Sequence, residues 1–160
     1  MTINGHASGL PAPPVPVDLD LRSFRWMKLD FGKLLKSEFN QTTNDLGWRC
    51  GVTLWLMGYS QVPASSLPAN DASLCQLAGL GRDMKRWKKA KDVALHGYKL
   101  HSDGRLYHPI CAQIVLEAAL EREKMASLKK DRHKNRHSGN HVATTVETTD
   151  MPRGNHSGNH

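Results

Sequence analysis

A mainly α-helical domain with one small β-hairpin, flanked by disordered tails, is the fold class that three observations predict. Four stretches between Phe24 and Leu128 show helical apolar periodicity next to capping residues. One Asp-Gly pair stands between short alternating runs, and both chain ends are poor in large apolar side chains. With 160 residues, the chain can bury one core and keep tails, but does not comfortably hold two domains.

Residues 1–20, "MTINGHASGLPAPPVPVDLD", are rich in Pro, Gly and small side chains, and they read as a flexible leader. The folded domain is expected over 21–130. It opens with "FRWMKLDFGKLLKSEF", where Phe24, Trp26, Phe31, Leu34, Leu35 and Phe39 suggest a short strand and turn followed by one or two helical turns. The segment "NDLGWRCGVTLWLMGY" begins with the capping residues Asn44 and Asp45 and is apolar nearly all the way round, as a central buried helix would be.

"SQVPASSLPAN" then interrupts the pattern with Pro63 and Pro68. Asn70 or Asp71 caps a second helix with Leu74, Leu77 and Ala78 on one face, ended by Gly79 and Gly81. A basic helix follows from Arg82 or Asp83 to about Leu95. After it, Asp103-Gly104 in "YKLHSDGRLYHP" marks a hairpin. Pro109 suits the first turn of a last helix, whose apolar stripe reads as Ile110, Ile114, Ala118, Met125 and Leu128. Residues 131–160 read as a disordered basic and His-rich tail containing "HSGNH" at 137–141 and 156–160. The order helix, helix, helix, hairpin, helix is that of a winged helix-turn-helix.

A formal net charge of +7 favours an anionic partner, most commonly nucleic acid. At about 100° per residue, Met84, Trp87, Ala94 and Leu95 share one side of the basic helix, while Arg82, Lys85, Arg86 and Lys89 share the other with Lys88 flanking them. Cations one turn apart can meet phosphates or base edges in a major groove about 12 Å wide. Lys91 falls on the apolar side, where it must snorkel or mark a fraying end. Alternation along the hairpin would place Lys99, His101 and Arg105 on one face, suited to phosphate or minor-groove contact, with Leu100 and Leu106 turned to the core. Trp26, Trp48, Trp55 and Trp87 sit in apolar patterns and read as packing residues, whereas Tyr107 could be exposed beside Arg105.

Cys50, Cys75 and Cys111 are widely spaced, odd in number and without a CxxC pair, as in a reduced cytosolic protein. There is no secretory signal pattern and no apolar run long enough for a bilayer, so a cytoplasmic protein with no membrane contact is expected. No phosphate-binding loop, dinucleotide fingerprint, metalloprotease motif, nucleophile elbow or zinc-finger spacing is present, and neither an enzyme nor a cofactor is expected. A zinc site from the three cysteines with His96 or His108 gives way to buried free thiols, since no two cysteines have ligand spacing. The "HSGNH" repeats suit weak copper, nickel or zinc binding, but a low-complexity tail accounts for them more simply.

The stretches "LGWRCGVTLWLM" and "LPANDASLCQLAGL", the Trp87 helix, and "DGRLYHP" leading into a long charged helix together resemble the domain of unknown function family 1376 of bacterial, phage and prophage proteins. The resemblance covers about two-thirds of the chain, from Trp26 to Leu128. It implies a winged-helix-like domain encoded among phage replication or regulatory genes, with no established chemistry and no functional residues to carry over. Ala69 separates "LP" from "ND", and the tail lacks a Lys- and Gly-rich run; both depart from the family pattern. The expectation is therefore a protein binding duplex DNA in replication initiation or transcriptional control. Its rival is an adaptor docking on replication proteins such as a helicase or loader.

Overall fold

The computed structural model describes residues 9–138, with side chains through 134. It is mainly helical with a small antiparallel sheet. In chain order the elements are α1 (Phe31–Lys36), α2 (Glu38–Thr42), α3 (Asp45–Tyr59), β1 (Ser66–Pro68), α4 (Asp71–Leu77), α5 (Met84–Ala94), β2 (Lys99–Leu100), β3 (Arg105–Tyr107) and α6 (Pro109–Ser138). Two compact units divide the chain, the first extending to Lys124 and the second beginning at Met125.

Side-chain caps set the helix starts. Asp30, Ser37, Asn44, Asn70 and Asp83 each accept a hydrogen bond from the backbone N–H three residues on, satisfying a donor that the first turn leaves open. The opening stretch forms the short helices α1 and α2 with no strand before them among the described residues.

α3 is central. Its buried positions Gly47, Cys50, Gly51, Leu54 and Gly58 recur every three or four residues and form one face. That face meets α5 at close range: a Cβ added at Gly51 would lie 2.7 Å from Phe39 Cζ and 3.3 Å from the Ala94 carbonyl oxygen. The helix is not apolar-buried all round, because Leu56 and Met57 lie on its outer side, 50% and 38% exposed.

The stretch expected to be only a break contains β1. Its pairing joins Ser66 to Tyr107 and Leu67 to Leu106, while Lys99 and Leu100 of β2 face the same two residues of β3 from the other side, giving the order β1-β3-β2. Pro68 is tolerated because β1 is an edge strand that ends there. The hairpin tip is fixed by His101 N–H donating to the Arg105 carbonyl (3.0 Å), Gly104 N–H donating to the His101 carbonyl (2.9 Å) and Arg105 N–H donating to Asp103 Oδ1 (3.0 Å).

Two apolar clusters fill the first unit. One gathers Cys50, Leu54, Leu67, Leu74, Cys75 and Trp87 between α3, α4, α5 and the sheet, with Leu106 packed against it. The other gathers Val15, Leu21, Tyr59, Ala64, Tyr107, Ala112 and Val115. Residues 9–20, expected to be a flexible leader, are thus corrected at Val15, only 5% exposed, next to the domain's first residue Leu21, 1% exposed. Backbone bonds strap the segment down, Ser102 N–H donating to the Pro11 carbonyl (2.9 Å) and Ala64 N–H to the Leu19 carbonyl (2.8 Å). Pro11, Pro13, Pro14 and Pro16 restrict the unfolded chain, so ordering this segment costs less entropy than its composition suggests.

α6 also corrects the expectation. Ile114 and Ala118 of the expected stripe pack against the second cluster, but its buried members on this helix are Ala112 and Val115, and Ile110 is 63% exposed. The inward face is set by the exit from β3, where Ala112 N–H donates to the His108 carbonyl (2.9 Å), and it lies to one side of the stripe read from periodicity. Helix continues through Ser138, so residues 131–138 extend α6; the rest of the expected tail, including the second "HSGNH", lies outside the described residues. In the second unit residues 125–134 of α6 are exposed, Met125 and Leu128 included.

Candidate nucleic-acid interface

The candidate surface is built on α5. Trp87 and Ala90 are fully buried, Ala94 nearly so, and Met84 and Leu95 pack against the same cluster. Anchoring that side forces Lys85, Arg86, Lys88 and Lys89 outward, and all four are exposed. Arg82 is exposed too, but it precedes the N-cap Asp83 and lies in the turn leading into the helix. Asp83 Oδ1 accepts from the Arg86 backbone N–H (3.0 Å), which fixes the register of the cationic residues against the turn. Among the described residues no carboxylate forms an ion pair with Arg82, Lys85, Arg86, Lys88 or Lys89.

Lys91 has a different role. Its Nζ lies 2.7 Å from Asp71 Oδ1 and ties the apolar side of α5 to the first turn of α4. The Lys91 ammonium, with the Trp87 indole second, holds the Asp71 carboxyl below the usual carboxylate range.

The hairpin contributes less than its sequence promised. Lys99 is exposed as expected, but Leu100 beside it is also 40% exposed. His101 is corrected: it turns inward, 9% exposed, with Nδ1 2.8 Å from the Ala12 carbonyl oxygen and its ring edge-on to Tyr107. The strap from the N-terminal segment supplies the hydrogen-bond partner that makes this burial possible. Arg105 is half-buried and its Nε donates to Ser66 Oγ (2.8 Å), bracing β3 against β1. Tyr107 is buried, and its hydroxyl donates to Asp103 Oδ2 (2.6 Å) from beneath the hairpin tip. Burial, then the bond to Asp103, pushes the Tyr107 phenol well above its ordinary value.

Of the residues expected to contact DNA, Arg82, Lys85, Arg86, Lys88, Lys89 and Lys99 face solvent; on the hairpin that leaves Lys99 and the partly accessible Arg105. Exposed Lys129, Lys130, Arg132 and Lys134 of the second unit carry further positive charge.

A separate cavity of about 450 Å³ lies in the first unit, lined by residues of α1, α2, α3, the α5–β2 connection and the start of α6. Sequence periodicity gave no sign of it, because its walls come from segments far apart in the chain. His108 sits there in contact with the rings of Trp55 and Tyr98, and burial, helped by His96 nearby, lowers its pKa to about 4. Burial pushes the Cys111 thiol up to about 12. The thiols of Cys50, Cys75 and Cys111 are free, and among the described residues no three His, Cys, Asp or Glu side chains gather as metal ligands. No helix among the described residues is long and apolar enough to cross a membrane.

No protein-family model, curated protein or solved structure matches this chain. What stands is a class: a mainly helical domain with a three-stranded antiparallel sheet and an exposed cationic helix.

Proposed function

We propose that this chain is a winged helix-turn-helix protein that binds duplex DNA, of the phage and bacterial kind to which the family resemblance points, acting in replication initiation or transcriptional control. The order α3, β1, α4, α5, β2, β3 with sheet order β1-β3-β2 supports the winged-helix reading. In it α4 and α5 are the helix pair, α5 is the groove-docking helix and β2–β3 the wing. One observation carries the function: Lys85, Arg86, Lys88 and Lys89 stand exposed on one helix whose opposite side is locked by Trp87, with no carboxylate pairing them among the described residues. A solvated face of no function would serve equally well with neutralising partners.

Binding to duplex DNA across a salt series tests the proposal. Each phosphate contact adds about 0.9 to the log–log slope, so Lys85→Glu/Arg86→Glu should weaken binding and flatten the slope by about 2 while circular dichroism stays unchanged. Undiminished binding by the folded variant would remove α5 from the interface. Arg86→Ala should also cost more sequence discrimination than Lys130→Ala, because a helix facing bases reads sequence and a tail facing phosphates does not. The rival adaptor reading draws on Ile110 and Leu120, which leave apolar surface on α6 open to a helicase or loader. DNA binding that is absent, with α5 tolerant of charge reversal, would favour it.

A further inference from the structure

We infer that the cavity beside His108 is a binding site for a small organic cation with an aromatic body, a site independent of the DNA-binding proposal. Its volume, about 450 Å³, falls in the range of small-molecule sites, roughly 300–1,000 Å³. The apolar wall is formed by Leu34, Phe39, Trp55 and Ile114, which come from α1, α2, α3 and α6. Phe39 and Trp55 are tilted against one another with ring centroids 5.0 Å apart, which puts two aromatic rings in the wall for an aromatic guest to pack on.

Charge at the cavity selects the sign of the guest. Lys28 and Lys33 both line it, yet each is closed into an ion pair, Lys28 with Glu121 and Lys33 with Asp30 (3.8 Å). Glu38 and Glu117 also line it, both exposed, and among the described residues no cation pairs with either. Glu117 accepts only a neutral hydrogen bond, from Gln113 Nε2 (2.9 Å). The deeper groups add no opposing charge at neutral pH, since burial keeps His108 and Cys111 uncharged. A chain of net charge +7 therefore carries two carboxylates without an ion-pair partner among the described residues in the lining of a cavity with an aromatic wall. An ammonium group meets both features, through Coulomb attraction to the carboxylates and through the faces of the rings.

The site also touches the proposed DNA-binding helix by sequence, because His96 and Gly97 line it and follow directly on α5. Binding itself does not require that connection.

The test uses the full-length chain and three probes of one shape: 2-naphthylmethylammonium, 2-naphthalenemethanol and 2-naphthoate. Titrations are followed by NMR through the Trp55 indole N–H signal, assigned with Trp55→Phe. The expected result is saturable movement of that signal, with the cation bound about fivefold more tightly than the alcohol and the carboxylate weakest. Glu38→Gln/Glu117→Gln, two exposed changes, should erase the preference for the cation and leave the alcohol's affinity in place. The inference falls if no probe moves the Trp55 signal saturably up to millimolar concentration, if the carboxylate binds as well as the cation, or if the double variant keeps the cation preference.

Discussion

Replacing Gly97 by Ala probes the junction between α5 and the hairpin. Gly97 has φ +80, and a Cβ there would lie 2.6 Å from His108 Nε2. The left-handed backbone alone costs a non-glycine residue about 1–2 kcal/mol. The contact adds to this because the His108 ring, 8% exposed and packed against Trp55 and Tyr98 with centroids at 5.8 and 5.4 Å, must give up that packing and turn toward the cavity it lines. Overpacking of this kind costs about 1–3 kcal/mol, for a total of about 2–5 kcal/mol. Gly104→Ala is the internal control, with φ +73 and nothing within 4 Å of the added Cβ, so it should show the backbone cost alone. Urea denaturation of both variants, and of His108→Ala and Gly97→Ala/His108→Ala to close a double-mutant cycle, separates the two contributions. Equal costs for Gly97→Ala and Gly104→Ala, or strict additivity in the cycle, would refute the close packing of His108 on this connection.

Three further outcomes follow from the same packing. His108 has a folded pKa of about 4 against an ordinary 6.5, so its contribution is complete above pH 6.5 and is lost as pH falls toward 4, where only the unfolded chain takes up the proton. The loss should reach about 2–3 kcal/mol in urea melts, and His108→Phe should remove this part of the pH dependence; an unchanged profile would count against burial of a neutral imidazole. Tyr107→Phe leaves the ring in place but deletes the hydroxyl bonded to Asp103, and should lower stability by about 1–2 kcal/mol by the same measurement. Leu21→Ala should cost about 2–4 kcal/mol despite lying beside the Pro-rich segment, and a change near zero would count against its burial in the second cluster.

Local chemistry explains why so much of the helical framework was legible. Caps at Asn44, Asn70 and Asp83 and the 3.6-residue spacing of Trp87, Ala90 and Ala94 are decided within a turn or two of chain, so α3, α4 and α5 can be read one segment at a time. The outward placement of Lys85, Arg86 and Lys89 follows from that spacing once Trp87 is inside. The Asp103-Gly104 turn is equally local.

Position in the tertiary structure decided the rest. β1 is three residues long and exists through its pairing with β3, reached only after α4 and α5 have intervened. His101 and Arg105 carry polar side chains whose direction in an alternating strand depends on what covers each face. A strap ending in Pro11 and Ala12 takes one, and Ser66 takes the other. The inward phase of α6 is fixed by where β3 releases the chain at His108, and the cavity exists only because α1, α2, α3 and α6 converge. By itself the sequence determined α3, α4, α5, the hairpin turn and the cationic face of α5, since each depends on neighbours a few residues away. Which polar groups stay in solvent and which become struts was decided by contacts between distant segments, because burying a polar side chain requires a partner that its own stretch of chain does not supply.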